Sequence, residues 1–89
     1  MDKLDISLMY VTDDRILDNE RFFEVLNAAL AGGATIIQLR EKSIDTKSFI
    51  ERALHAKEIC ENYNVPLIIN DRLDVALAVN ADGLHIGQK

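Results

Sequence analysis

The 89-residue chain is 48% hydrophobic and 28% charged, with a net charge of -5. This is the balance of a soluble globular domain, and it excludes disordered and collagen-like classes. No apolar run reaches the ~18–20 residues of a membrane span, and the acidic balance argues against nucleic acid as the main partner, so any anion site has to be a local basic pocket.

The N-terminus, Met1-Asp2-Lys3-Leu4-Asp5, is charged and looks like neither a secretory signal nor an Arg-rich transit peptide. Residues 7–12, Ser-Leu-Met-Tyr-Val-Thr, suit a pleated surface and predict a first strand ending at the turn signal Asp13-Asp14. Asp18 is the expected N-cap of a helix over Asn19–Ala31, in which Phe22, Leu26, Ala29 and Leu30 share one face. Gly32-Gly33 stops it, because glycine tolerates the left-handed conformation that closes a helix.

A second strand is predicted over 35–40, with a loop over 42–44. Asp45 or Thr46 then caps a long helix reaching about Tyr63. Phe49, Ala53, Ala56 and Cys60 recur at helical spacing, flanked by Ile50, Leu54 and Ile59. Glu51, Arg52, His55, Glu58 and Glu61 are assigned to the opposite, solvent side. Cys60, the lone cysteine, reads as a small buried hydrophobe in a reducing compartment. Asn64 and Pro66 end the helix.

Residues 67–70, Leu-Ile-Ile-Asn, are apolar until the last and predict a parallel strand buried on both faces. Asp71 is the expected cap of a short helix over 72–79 with Leu73, Ala76 and Leu77 inward. A turn over 80–83 leads to a fourth strand over 84–86.

The order β-α-β-α-β-α-β implies a parallel sheet. A doubly wound open sheet and a (β/α)8 barrel both remain open at this point. No glycine-rich dinucleotide fingerprint follows the first strand, and polar residues end every strand: Thr12, Arg40, Asn70 and, past the fourth, Gln88. That pattern fits the N-terminal half of a TIM (β/α)8 barrel in a single partial domain, 1–89. Four strands leave two open edges, so the chain is expected either to be the first part of a longer one or to self-associate.

The stretch Gln38-Leu39-Arg40-Glu41-Lys42 carries the chemistry. Strand alternation sends Ile37, Leu39 and Glu41 one way and Gln38, Arg40 and Lys42 the other. An amide and two cations in a row suit a polyanionic ligand. Asn70, Asp71, His85 and Gln88 fall at the other strand ends. Arg and Lys make charge-assisted bonds to phosphate oxygens, and a strand-end Asp can hold Mg²⁺ beside a substrate phosphate. Together they suggest a Mg²⁺-diphosphate substrate. Each residue also has a structural reading: loop charges for Arg40 and Lys42, a turn and cap for Asn70-Asp71, a core histidine for His85. No Ser-His-Asp or Cys-His arrangement supports covalent catalysis.

Four blocks in order and spacing resemble thiamine-phosphate synthase: Tyr10-Val11-Thr12-Asp13; residues 38–42; Ile69-Asn70-Asp71-Arg72 with Asp74 and Ala76; and residues 81–88, Ala-Asp-Gly-Leu-His-Ile-Gly-Gln. The resemblance implies a barrel enzyme that joins hydroxymethylpyrimidine diphosphate to hydroxyethylthiazole phosphate and releases pyrophosphate. It implies substrate contacts for Gln38, Arg40, Lys42, Asn70, His85 and Gln88, a Mg²⁺ ligand at Asp71, and a cytoplasmic enzyme with small-molecule partners. The family pattern continues Gly-Gln-x-Asp with a second metal ligand, whereas this chain stops at Lys89. The 89 residues alone are therefore expected to be inactive. A thiazole tautomerase-like relative of the same superfamily and a non-catalytic, self-associating half-barrel are the alternatives.

Overall fold

The computed structural model describes residues 8–42 and 44–85, with Leu84 and His85 described by backbone alone. The elements run β1 (Met9–Val11), α1 (Asn19–Ala31), β2 (Ile36–Leu39), α2 (Thr46–Asn62), β3 (Leu67–Asn70), α3 (Leu73–Ala78) and β4 (Gly83–His85). Ser7 and residues 86–89, which include part of the predicted first and fourth strands and Gln88, lie outside the described residues, as does Ser43. β1 and β2 are three and two residues shorter than their sequence patterns, β3 matches its pattern, and β4 starts one residue earlier. The polar residue closing a pattern sits where the backbone leaves the ladder for a loop, as Arg40 does.

The helix ends follow from capping chemistry. The Asp18 carboxylate accepts from the Glu20 N–H, and Asp45 accepts from the N–H and hydroxyl of Ser48. Gly33, at φ 105°, turns the chain out of α1 in a conformation only glycine takes cheaply. Asn64 and Asn80, at φ 55° and 53°, do the same after α2 and α3.

The four strands are parallel and lie in the order β1-β2-β3-β4. Because the order never reverses, right-handed crossovers place every helix on the same side of the sheet. A doubly wound sheet would reverse and carry helices on both sides. Tyr10, Ile37, Leu39, Leu67 and Ile69 accordingly pack with Phe22, Leu26, Leu30, Phe49, Ala53, Ala56, Cys60 and Val75 in one core between sheet and helices. Alternation sends Met9, Val11, Ile36, Gln38, Ile68 and Asn70 to the other, barrel-interior face. Met9 and Val11 are exposed there. This is the half-barrel arrangement.

Three expectations are corrected. Leu73 and Leu77 are exposed rather than inward; α3 buries Val75 and Ala76, and Val79 just beyond it. The N-cap position of α3 belongs to Arg72, without a side-chain cap bond, whereas Asp71 stands one residue earlier in the left-handed region at φ 62°. Arg52 is buried, not on the solvent face of α2.

Cys60 is buried as expected, and desolvation pushes its thiol up to about 12. A thiol reagent at pH 8 is expected to leave the native protein unlabelled and to modify Cys60 fully in denaturant, read by mass spectrometry.

Candidate functional site

The C-terminal ends of β1, β2 and β3 bring the 38–42 segment, Thr12 to Asp14, and Asn70-Asp71 to one end of the sheet. On the interior face the Asn70 side-chain amide donates to Gln38 Oε1 at 2.6 Å, and the Gln38 amide donates to Met9 Sδ at 3.5 Å. Gln38 Oε1 and Asn70 Nδ2 thus orient each other across two strands. Both face the space that the barrel interior would enclose.

The Thr12 hydroxyl fixes the exit of β2. It accepts from the Arg40 N–H at 3.0 Å and lies 3.4 Å from the Arg40 carbonyl, to which it donates. Thr12, only 4% exposed, therefore orients the Arg40 backbone. The Arg40 side chain is partly exposed, and its guanidinium stands 4.0 Å from Asp14. Lys42 is exposed. A half-exposed contact at that length is weak, so both cations remain able to meet an anion.

Glu41, between them, points the other way. Its side chain is fully buried and accepts from Arg52 Nη1 at 2.7 Å. Burial pushes its carboxyl above the usual range, while the Arg52 hydrogen bond pulls it back down. Arg52 also donates from Nη1 to the Ile16 carbonyl, from Nη2 to the Leu17 carbonyl, and from Nε and Nη2 to Asn19 Oδ1. All five of its N–H donors are used. Its guanidinium lies 4.1 Å above the centre of the Phe22 ring.

The β3 exit is tied differently. Arg72 donates to both Asp74 carboxylate oxygens and to Thr46 Oγ1 at the start of α2. Asp71 is exposed beside Asn70. Asp13 is gripped by Arg15, whose side-chain and backbone hydrogen bonds lower its carboxyl to about 2. Among the described residues, no three His, Cys, Asp or Glu side chains converge as a metal-holding group. Asp71 does offer an exposed oxygen donor at the strand ends, which suits a hard cation held by one or two carboxylates and substrate phosphates.

Of the residues predicted from sequence, Gln38, Arg40, Lys42, Asn70 and Asp71 come together at this end. His85 pairs in register with Asn70 along β4, so its backbone is at the same level. Gln88 lies outside the described residues. Sequence reasoning missed Thr12 as a clamp and Arg52 as a buried tie. Thr12 carried a signal, as the polar residue closing an apolar strand.

The model of the thiamine monophosphate synthase family matches residues 8–89. Thiamine-phosphate synthases from Clostridium tetani and Methanobrevibacter smithii are 55% and 51% identical over 86 and 88 residues, which are 97% and 99% of this chain. The chain spans only 41% and 42% of those relatives' length. The solved structure of a thiamine phosphate pyrophosphorylase from Pyrococcus furiosus superposes with a TM-score of 0.80 at 37% identity, covering 89% of this chain and 38% of that one.

Thr12→Val removes the hydroxyl and leaves the Arg40 N–H without that partner. It is expected to lower stability by about 1–2 kcal/mol, read as a shift in denaturant midpoint at constant slope.

Proposed function

This chain belongs to the thiamine monophosphate synthase family, and we propose that it supplies the pyrimidine-diphosphate side of a site that makes thiamine phosphate and pyrophosphate. The observation that carries this is the single sheet end where Gln38, Arg40, Lys42, Asn70 and Asp71 meet within an acidic protein. A basic wall set against a net charge of -5 has a use if it meets a concentrated anion.

The chemistry follows from the donor set. The bond between the pyrimidine methylene carbon and the diphosphate oxygen breaks, and its electron pair leaves with pyrophosphate. The thiazole nitrogen lone pair then forms the new C–N bond. Arg40 and Lys42 donate charge-assisted hydrogen bonds to the diphosphate as its charge grows, so they stabilise the departing group more than the ground state. Gln38, held by Asn70, presents its amide to the heteroaromatic ring, and Asn70 stands beside the diphosphate. His85, on β4, and Gln88 are assigned to the same substrate contacts. Asp71 would hold Mg²⁺, and the bound ion supplies positive charge shared with the substrate phosphates. The partners in this reading are small molecules and its place is the cytoplasm; separately, no helix among the described residues is long and apolar enough to cross a membrane.

The test uses the whole barrel. Arg40→Ala in the full-length protein is expected to raise KM for the pyrimidine diphosphate and lower kcat, with kcat/KM falling roughly 100-fold or more. Unchanged steady-state kinetics would remove Arg40 from the site. The 89-residue polypeptide assayed alone is expected to form no thiamine phosphate from the two substrates. Synthesis near the full-length rate would show that these strand ends suffice.

A further inference from the structure

Arg52 takes no part in the chemistry above. Its five hydrogen bonds reach none of the residues proposed to bind ligand. Yet it is 3% exposed and every donor it has is committed. Its partners come from two separate segments. Ile16 and Leu17 belong to the connection from β1 into α1, which Asn19 opens, and Glu41 belongs to the exit of β2.

We infer that Arg52 is a positioning residue that sets the direction of Arg40 and Lys42 by holding Glu41 on the helix side of the sheet; the inference rests on the diphosphate site proposed above. The 40–42 segment continues directly from the end of β2 at Leu39 and has one member anchored. Glu41 lies between the two cations, its side chain completely buried, while Arg40 is 39% exposed and Lys42 is exposed. Neighbouring side chains on extended backbone point to opposite faces. Pulling Glu41 towards α2 therefore turns its neighbours towards the mouth. The same guanidinium grips the β1–α1 connection, which also carries Asp14, the carboxylate nearest Arg40. One side chain thus locks together the two loops that form this part of the mouth.

A lysine cannot replace it. An ammonium is a point charge with three donors, whereas here five N–H bonds reach four acceptor atoms arranged around a planar fork. Arg52→Lys keeps the charge and releases the geometry, which makes it the informative variant. Glu41→Gln keeps the shape of the other partner.

The experiment measures the full-length protein. Calorimetry gives Kd for inorganic pyrophosphate with Mg²⁺, kinetics give KM and kcat for each substrate, and thermal unfolding gives Tm. Lys57→Met is the structural control. Lys57 is also on α2 but donates to the carbonyls of Val79 and Asn80, away from the strand ends that bear the site. It is expected to lower Tm and leave Kd in place. Arg52→Lys is expected to weaken pyrophosphate binding and raise KM for the pyrimidine diphosphate by roughly 10- to 100-fold, with KM for the thiazole phosphate unchanged. The double variant with Glu41→Gln should be no worse than Arg52→Lys, because both break the same link.

An Arg52→Lys protein that loses Tm as the control does, while its Kd stays within about twofold of wild type, would reduce Arg52 to a structural residue. Independent, multiplying effects of the two substitutions would overturn the route through Glu41. Should Arg52→Lys fail to fold, Glu41→Gln alone decides by the same Kd and KM. Wild-type protein that binds pyrophosphate but makes no thiamine phosphate would sink the synthase reading and leave the Kd comparison valid. Wild type that binds no pyrophosphate would overturn both.

Discussion

The buried ion pair between Arg52 and Glu41 is the constraint on which the described part of the mouth depends. Both side chains are almost completely excluded from water, and they meet at 2.7 Å. Such a pair adds little net stability, because the Coulomb attraction is offset by the loss of hydration. Its value is geometric. The planar guanidinium fits only one arrangement of its four acceptor atoms, so the β1–α1 connection and the β2 exit can close in only one way. Removing one partner would leave the other charge buried and unpaired, a cost of about 3–5 kcal/mol. Phe22 completes the enclosure by placing its ring under the guanidinium. One oxygen of Glu41 still has no partner in the described structure, consistent with burial raising its carboxyl's affinity for a proton.

Around that tie, the division of labour between the two sheet faces explains the mixture of residue types. The face towards the helices is apolar and closed: Ile37, Leu39, Leu67 and Ile69 are 0% exposed. Exposed as monomeric surface, that area would weaken the fold; buried, each large aliphatic contributes about 1.5–3 kcal/mol. The interior face carries the polar pair Gln38 and Asn70 beside Met9 and Val11. A polar pair between buried strands is tolerable only when each amide finds a partner. The Asn70 amide donates to Gln38 Oε1 and the Gln38 amide donates to Met9 Sδ, which fixes both amides on the interior face. The scaffold and the site thus use the same strands through alternate residues.

Loop control follows the same economy of parts. Thr12 secures Arg40 by its backbone and leaves the side chain free to meet an anion. Arg72 joins the β3 exit to the start of α2 through Thr46 and takes both oxygens of Asp74. Asp71 occupies a left-handed conformation that aspartate tolerates better than most residues, and it does so at the strand end rather than at a helix terminus. The stabilising contacts lie behind the residues proposed to face the ligand, so the latter need not fold the loops themselves.

Much of the fold was legible in the chain. The span Asn19–Ala31, its Asp18 cap, the Asp45 cap and the strand Leu67–Asn70 follow from capping chemistry and hydrophobic period, which act within a few residues. Strand alternation carried the reading of Gln38 onto the interior face, whereas Arg40 and Lys42 lie past the end of β2. The short α3 was misjudged because six residues carry too little of the helical period to separate Leu73 and Leu77 from Val75 and Ala76. Arg52 was misjudged for a deeper reason. Its charge predicts solvent, and the acceptors that overrule that prediction come from residues up to 36 positions away, two of them backbone carbonyls with no side-chain signature. Local chemistry in the sequence therefore determined the elements and the polar residues at their ends. Only the tertiary structure decided what holds them there, because the hydrogen bonds that fix the mouth join segments that meet only once the sheet has formed.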